Sequence, residues 1–222
     1  MSGGCSKARS NHMPVEIPRD LTPELVPLSW LLGQWEGQGR LGTGEAESEH
    51  FFQRVTFSSN GLPYLEYVAE SWLTDEEGMK LRPLSVEMGF WALDRKLGEA
   101  DGGPGLIPAD IVPALTTADD VEKLRNDTSG FDITATIVHP GGISELYYGT
   151  IKGPQIELST DAVMRGAGAK DYSAATRIFG LVNGDLFWRW DVAAEGNSLE
   201  AHASAILKKT AAPESAEQRP SE

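Results

Sequence analysis

A single cysteine, Cys5, stands in the 222 residues, so no internal disulfide can staple the chain and no Cys-x-x-Cys metal site exists. Histidine is scarce as well: His12, His50, His139 and His202 are the four, and no two have the spacing of a zinc pair. No apolar run is long enough for a secretory signal or a membrane span. Cys5 follows only Met-Ser-Gly-Gly, which excludes a lipoprotein cysteine. Basic residues number 19 against 33 acidic ones, a net charge of −14, which repels phosphate backbones and anionic lipid headgroups. The expectation is a cytoplasmic, soluble protein that engages neither nucleic acid nor membrane. A glycine-rich phosphate loop and an evident acid/base pair are also missing, so few groups are left to carry chemistry.

What the chain does contain is period-two alternation. In 51–57, Phe51, Val55 and Phe57 share one face and Arg54 and Thr56 the other; in 62–73, Leu65, Tyr67 and Ala69 oppose Tyr64, Glu66, Val68 and Glu70. With 35–42, 79–92, 130–139, 142–151, 153–160, 171–182, 184–194 and 198–208, this makes about ten strands by the alternation and turn rules. Asn60-Gly61, Gly141-Gly142 and Asn183-Gly184 supply hairpin turns. No strand alternates with a long helix, so the reading is all-β: an antiparallel barrel with a short N-terminal helix. Thr22 is the expected cap of that helix, Pro23 its first residue, and Glu24 the complement of its dipole. One barrel domain is expected over 19–209, between tails at 1–18 and 210–222 that are polar and Pro-containing. A Gly-, Pro- and Asp-rich insertion at 94–129 interrupts it, with a helix capped by Thr117 and Asp120 over 119–125. A surface excursion is favoured there over a lid.

Gly33-x-Trp35-x-Gly37-x-Gly39 opens the first strand. Gly-x-Trp at that place resembles the signature of the lipocalin and fatty-acid-binding superfamily, in which the Trp packs across the closed end. The glycines leave one strand face bare, either for a bend that helps to close the barrel, the favoured reading, or as room for a flat ligand. Further blocks are Leu62-Pro-Tyr-Leu-Glu-Tyr, Ser71-Trp72, His139-Pro-Gly-Gly-Ile-Ser-Glu, Ala169-Lys170-Asp-Tyr-Ser-Ala and Leu199-x-x-His202-x-x-Ala205-Ile-Leu-Lys. In order and spacing they resemble the nitrobindin family over roughly 22–209, apart from the insertion. That resemblance implies one haem b per chain, His202 as proximal ligand of the iron, and Lys170 as a weaker contact near the haem. It also implies isomerisation of peroxynitrite to nitrate, leaves nitric oxide as a further ligand, and leaves open whether the chain forms a homodimer. Two departures bear on haem affinity: Gly44-Glu45-Ala46 where the family continues Pro-Thr-Ile, and Ala201 and Ala203 where Pro and Leu commonly flank the histidine.

Periodicity taken alone reads differently. Strict alternation puts Leu199, Ala201, Ala203, Ala205 and Leu207 on one face, leaving His202 with Glu200, Ser204 and Lys208 as a solvent-facing residue. His139, before Pro140, reads as a turn residue; His50 reads as exposed and His12 as part of the tail. Trp188 and Trp190 share a face with Leu186 and Val192 and read as core. Met164 and Arg165 read as a rim, with Arg165 solvated rather than meeting a haem propionate. The rival functional class is a non-enzymatic carrier or sensor holding a fatty-acid-like ligand in the barrel. A further reading is a relative that has lost tight haem binding.

Overall fold

The computed structural model describes residues 21–42, 49–98, 101 and 114–211. Ten strands run in chain order: β1 Gly33–Leu41, β2 Glu49–Ser58, β3 Leu65–Thr74, β4 Lys80–Leu93, β5 Phe131–His139, β6 Ile143–Lys152, β7 Gln155–Arg165, β8 Tyr172–Val182, β9 Asp185–Ala194 and β10 Glu200–Ala211. Each pairs antiparallel with the next, and β1 pairs with β10 from Gln34↔Ala211 to Leu41↔Ala203, closing the barrel and removing every edge. The ten-stranded antiparallel barrel is therefore as expected. Its hairpins turn at Asn183-Gly184 and Gly141-Gly142, all four residues at positive φ, the backbone hand that matches strand twist. The last strand runs to Ala211, two residues beyond the expected end of the barrel.

A 3-10 helix, Pro23–Leu31, precedes β1 and plugs one end. Pro27, inside it, has no N–H to give to an i−4 carbonyl, so the segment takes the tighter i→i+3 form. Thr22 does not cap it through its side chain. The helix packs Leu25, Leu28, Trp30 and Leu31 into the core, and Trp35 Nε1 donates to Leu31 O at 2.7 Å, tying plug to barrel. Beyond the plug the lumen is filled by Trp35, Phe57, Leu65, Tyr67, Trp91 and Phe179, all buried. Trp91 meets Phe57 at 5.5 Å and Phe179 at 5.1 Å between ring centroids, both edge to face, the favoured aromatic geometry.

Glu24 stands in the first turn of the helix, as expected, and it has a second task. Its carboxylate takes a forked pair of hydrogen bonds from Arg95, at 3.0 and 2.9 Å. Arg95 gives its other edge to Asp101 at 2.8 and 2.6 Å, and all three side chains are more than nine-tenths buried. The start of the insertion is thus clamped to the plug. Its helix, α1 (Ala118–Glu122), is shorter than expected, is capped as expected by Thr117 Oγ1 accepting from Asp120 N, and buries Val121. Because β4 ends and β5 begins at the plugged end, these described parts lie away from the open end and form no lid over it. Removing the guanidinium would strand two buried carboxylates, a situation that costs about 3–5 kcal/mol. Arg95→Met is expected to lower the urea midpoint accordingly without changing the β-sheet circular dichroism of the fold.

Candidate functional site

In this meander the odd strands end, and the even strands begin, at the end opposite the plug. His139, Arg165, Ala194, Tyr172 and Glu200 therefore gather at one mouth, and His202 lies two residues into β10. The strand keeps its in-and-out alternation there, but not its pairing. β10 pairs Ala201 with Asp191 but Ala203 with Trp190, so His202 is the extra residue of a β-bulge. Downstream Ala203, Ala205 and Leu207 point into the core. His202 is exposed with Glu200, Ser204 and Lys208, as periodicity has it, and its imidazole meets the Trp190 indole edge to face, at 4.9 Å and 88°. His202 O accepts from Gly42 N at 3.0 Å, which keeps the bulged strand joined to the end of β1.

His202 is exposed, yet what desolvation it has, and then the nearby Arg177 guanidinium, lower its pKa below the ordinary value. The imidazole is therefore neutral at pH 7, the form that donates to a metal. Leu41, Leu84, Ile143, Val163 and Val192 stand partly buried around this end, an apolar rim. The buried Trp190 Nε1 has no hydrogen-bond partner among the described residues.

Beneath the rim lies a charged network that sequence reasoning missed. Arg177, 2 % exposed, forks onto Glu87 at 2.6 and 2.9 Å, and its Nε donates to Tyr147 Oη at 3.1 Å. Glu145, fully buried, accepts from Tyr147 at 2.7 Å and from Tyr172. His139 is no mere turn residue: its Nε2 donates to Glu145 at 2.7 Å and its ring lies parallel to Trp190 at 5.9 Å. Burial pushes the Glu87 carboxyl up, but the Arg177 charge and hydrogen bonds outweigh it and hold the group at about 2. In Glu145 burial is likewise outweighed, by the His139 hydrogen bond and Arg177, and the pKa falls. Burial raises Tyr67, Tyr147 and Tyr172, so their hydroxyls stay protonated and donate. The signal was present in the sequence as charged residues in phase with core positions: Glu145 with Tyr147, and Arg177 with Ala175 and Phe179.

The other expected residues fall as follows. Lys170 is exposed on the rim loop before β8, without an ion pair among the described residues. Arg165 on the same rim pairs with Asp171 at 2.5 Å, and Met164 is exposed. Trp188 is core as expected, its Nε1 donating to Gln53 at 2.8 Å. His50 lies half-buried opposite Arg40. Gly33 takes a φ of 111° at the junction with the plug. The bare face at Gly37 and Gly39 is filled rather than open: a Cβ on Gly37 would come within 2.1 Å of Ile206 O, and one on Gly39 within 2.2 Å of the Phe51 ring. Close approach of β10, not space for a ligand, is what those glycines allow. His12 and Gly44-Glu45-Ala46 lie outside the described residues. A groove of about 890 Å³ involves Ile178, Phe187 and Ile206, whose side chains are on the outer wall, and does not reach His202.

A barrel plugged at one end, with its lumen packed and a histidine set against an indole at the other, is a lipocalin-like antiparallel barrel. The chain belongs to the THAP4-like, heme-binding β-barrel domain family, whose profile matches residues 24–209. It is 73% identical over 197 residues to a peroxynitrite isomerase of Paenarthrobacter aurescens (strain TC1), covering 89% of this chain and 99% of that one. It is 62% identical over 198 residues to a peroxynitrite isomerase of Micrococcus luteus, covering 89% and 88%. The crystal structure of Rv2717c from M. tuberculosis superposes with a TM-score of 0.62 at 24% identity, over 86% of this chain and 99% of that one, a likeness of fold. The resemblance to nitrobindins is borne out.

An unfolded glutamate titrates near 4.5 and folded Glu87 at about 2. Its contribution to stability is thus full above roughly pH 4.5 and is lost as the pH falls toward 2. Glu87→Gln would leave Arg177 undercompensated, and is expected to cost about 3–5 kcal/mol at pH 7. It should also flatten the acid limb of stability, as read from urea midpoints across that range.

Proposed function

We propose that the chain binds one haem b through His202 and isomerises peroxynitrite to nitrate in the cytoplasm, with nitric oxide as a further ligand of the same centre. The observation that carries this reading is His202 itself: a neutral, exposed imidazole at the barrel mouth, on a bulge and against Trp190, with neither ring nitrogen hydrogen-bonded among the described residues. The relatives named for peroxynitrite isomerisation support the substrate. The donor set fits a haem. A neutral imidazole is a common axial ligand, the rim side chains suit a porphyrin face, the alanines beside the histidine leave room, and Trp190 Nε1 is a buried donor awaiting an acceptor. Lys170, exposed on the rim, would meet a haem carboxylate.

When bound, ferric haem would supply a Lewis-acidic iron for the substrate anion. The chain's own work would then be to hold and to shield. His202 would give the nitrogen ligand, Leu41, Ile143 and Val192 would keep water from the porphyrin face, and Lys170 would offset carboxylate charge. Conversion of peroxynitrite to nitrate moves no net proton or electron, so neither an acid/base pair nor a reductant is demanded of the protein. A fatty-acid-like carrier is less well supported, because Trp35, Trp91, Phe57 and Phe179 occupy the lumen such a chain would need.

Titration with hemin is expected to give a saturable one-to-one Soret shift that His202→Ala abolishes. Stopped-flow decay of peroxynitrite should then accelerate in proportion to loaded protein. Equal weak spectra for both proteins would overturn the haem reading and return the carrier to first place.

A further inference from the structure

Metal-bound histidines are usually oriented by a hydrogen bond from the second ring nitrogen to a carboxylate or carbonyl. Among the described residues His202 has no such partner. Its side chain is met instead by one ring, Trp190, edge to face at 4.9 Å and 88°. That indole is itself held in place. The Arg177 guanidinium lies 4.4 Å from its ring centroid, the His139 ring is parallel within 6° at 5.9 Å, and Tyr172 stands edge-on at 6.4 Å. Arg177 cannot swing away, because its three nitrogens are committed to Glu87 and Tyr147, and His139 is fixed by Glu145.

We infer that Trp190 is the positioning residue for His202, an aromatic substitute for the missing hydrogen-bond partner, and that Arg177 and His139 hold the indole for that task. The inference rests on His202 being the haem ligand. It explains why a barrel core carries two carboxylates, a guanidinium and a histidine, although buried ion networks are seldom more stabilising than the apolar side chains that could replace them. The network seats a ring, and the ring seats the ligand. An edge-to-face pair has a geometric preference beyond its burial, which favours one imidazole plane over others. It also leaves both imidazole nitrogens unshared, so no acceptor pulls on the ring N–H to make the ligand more basic.

The test compares the natural sequence with Trp190→Leu, Trp190→Phe and His202→Ala, each first checked for unchanged circular dichroism and urea midpoint. In the cofactor-free proteins, the His202 ring protons are expected to carry an upfield ring-current shift in NMR spectra that Trp190→Leu removes and Trp190→Phe partly restores. With hemin, Trp190→Leu is expected to weaken binding about 10–100-fold, the usual effect of losing an orienting partner. It should also alter the rhombicity of the ferric EPR signal, which reports the imidazole plane, with Trp190→Phe in between. Unchanged ring-proton shifts and an unchanged EPR signal in Trp190→Leu would overturn the positioning role even where His202→Ala abolishes haem binding. A hemin spectrum that survives His202→Ala would instead overturn the ligation reading, whatever Trp190 does.

Discussion

A positive charge buried in the middle of the barrel sets the terms for everything at the mouth. Arg177 cannot be neutralised by losing its proton, so the fold must surround it with acceptors, and Glu87 from β4, Glu145 and Tyr147 from β6 answer that demand. Those partners come from alternate strands, with β5 and β7 between them in the sheet, whose side chains meet inside the barrel. The network therefore fixes β4, β6 and β8 relative to one another at the depth where the packed aromatic lumen gives way to the site. His139, at the end of β5, is drawn in by the same carboxylates. The plugged end shows the same logic on a smaller scale, with Arg95 uniting the 3-10 helix and the insertion through two buried carboxylates.

The two ends divide the labour. Apolar packing and the Arg95 clamp seal one, so that lumen volume is spent on stability. At the other, apolar side chains stop short of covering the barrel, and a bulge seats the exposed His202 against Trp190. The family is one of heme-binding barrels, and a lumen filled by Trp35, Phe57 and Trp91 leaves the mouth as the place proposed for a flat cofactor.

Most of the fold was legible because strand periodicity is a local property. Phe51, Val55 and Phe57, or Trp188 and Leu186, announce their inward face by spacing alone, and the Gly pairs announce the hairpins. What spacing could not show is any event that breaks the count. Alternation gives His202 its exposed side correctly, but the bulge beside Trp190 inserts a residue that only the β9 partner reveals. The role of ligand comes to His202 from the motif resemblance, not from spacing. The pairing of Glu24 was invisible because Arg95 lies 71 residues away, and that of His139 because Glu145 meets it only across the β5–β6 hairpin. Gly37 and Gly39 favoured a bend over an empty face, and the approach of Ile206 and Phe51 shows that the face is filled.

The strand that carries His202 is also the strand that closes the barrel against β1, and it is the last of the ten. During synthesis, nine strands can leave the ribosome with no mouth and no candidate ligand, and the arc they form has two open edges until β10 arrives. Cofactor capture therefore cannot guide the early stages of folding. It can only reward the finished product, so a chain truncated within β10 would lose ring closure and ligand in a single step.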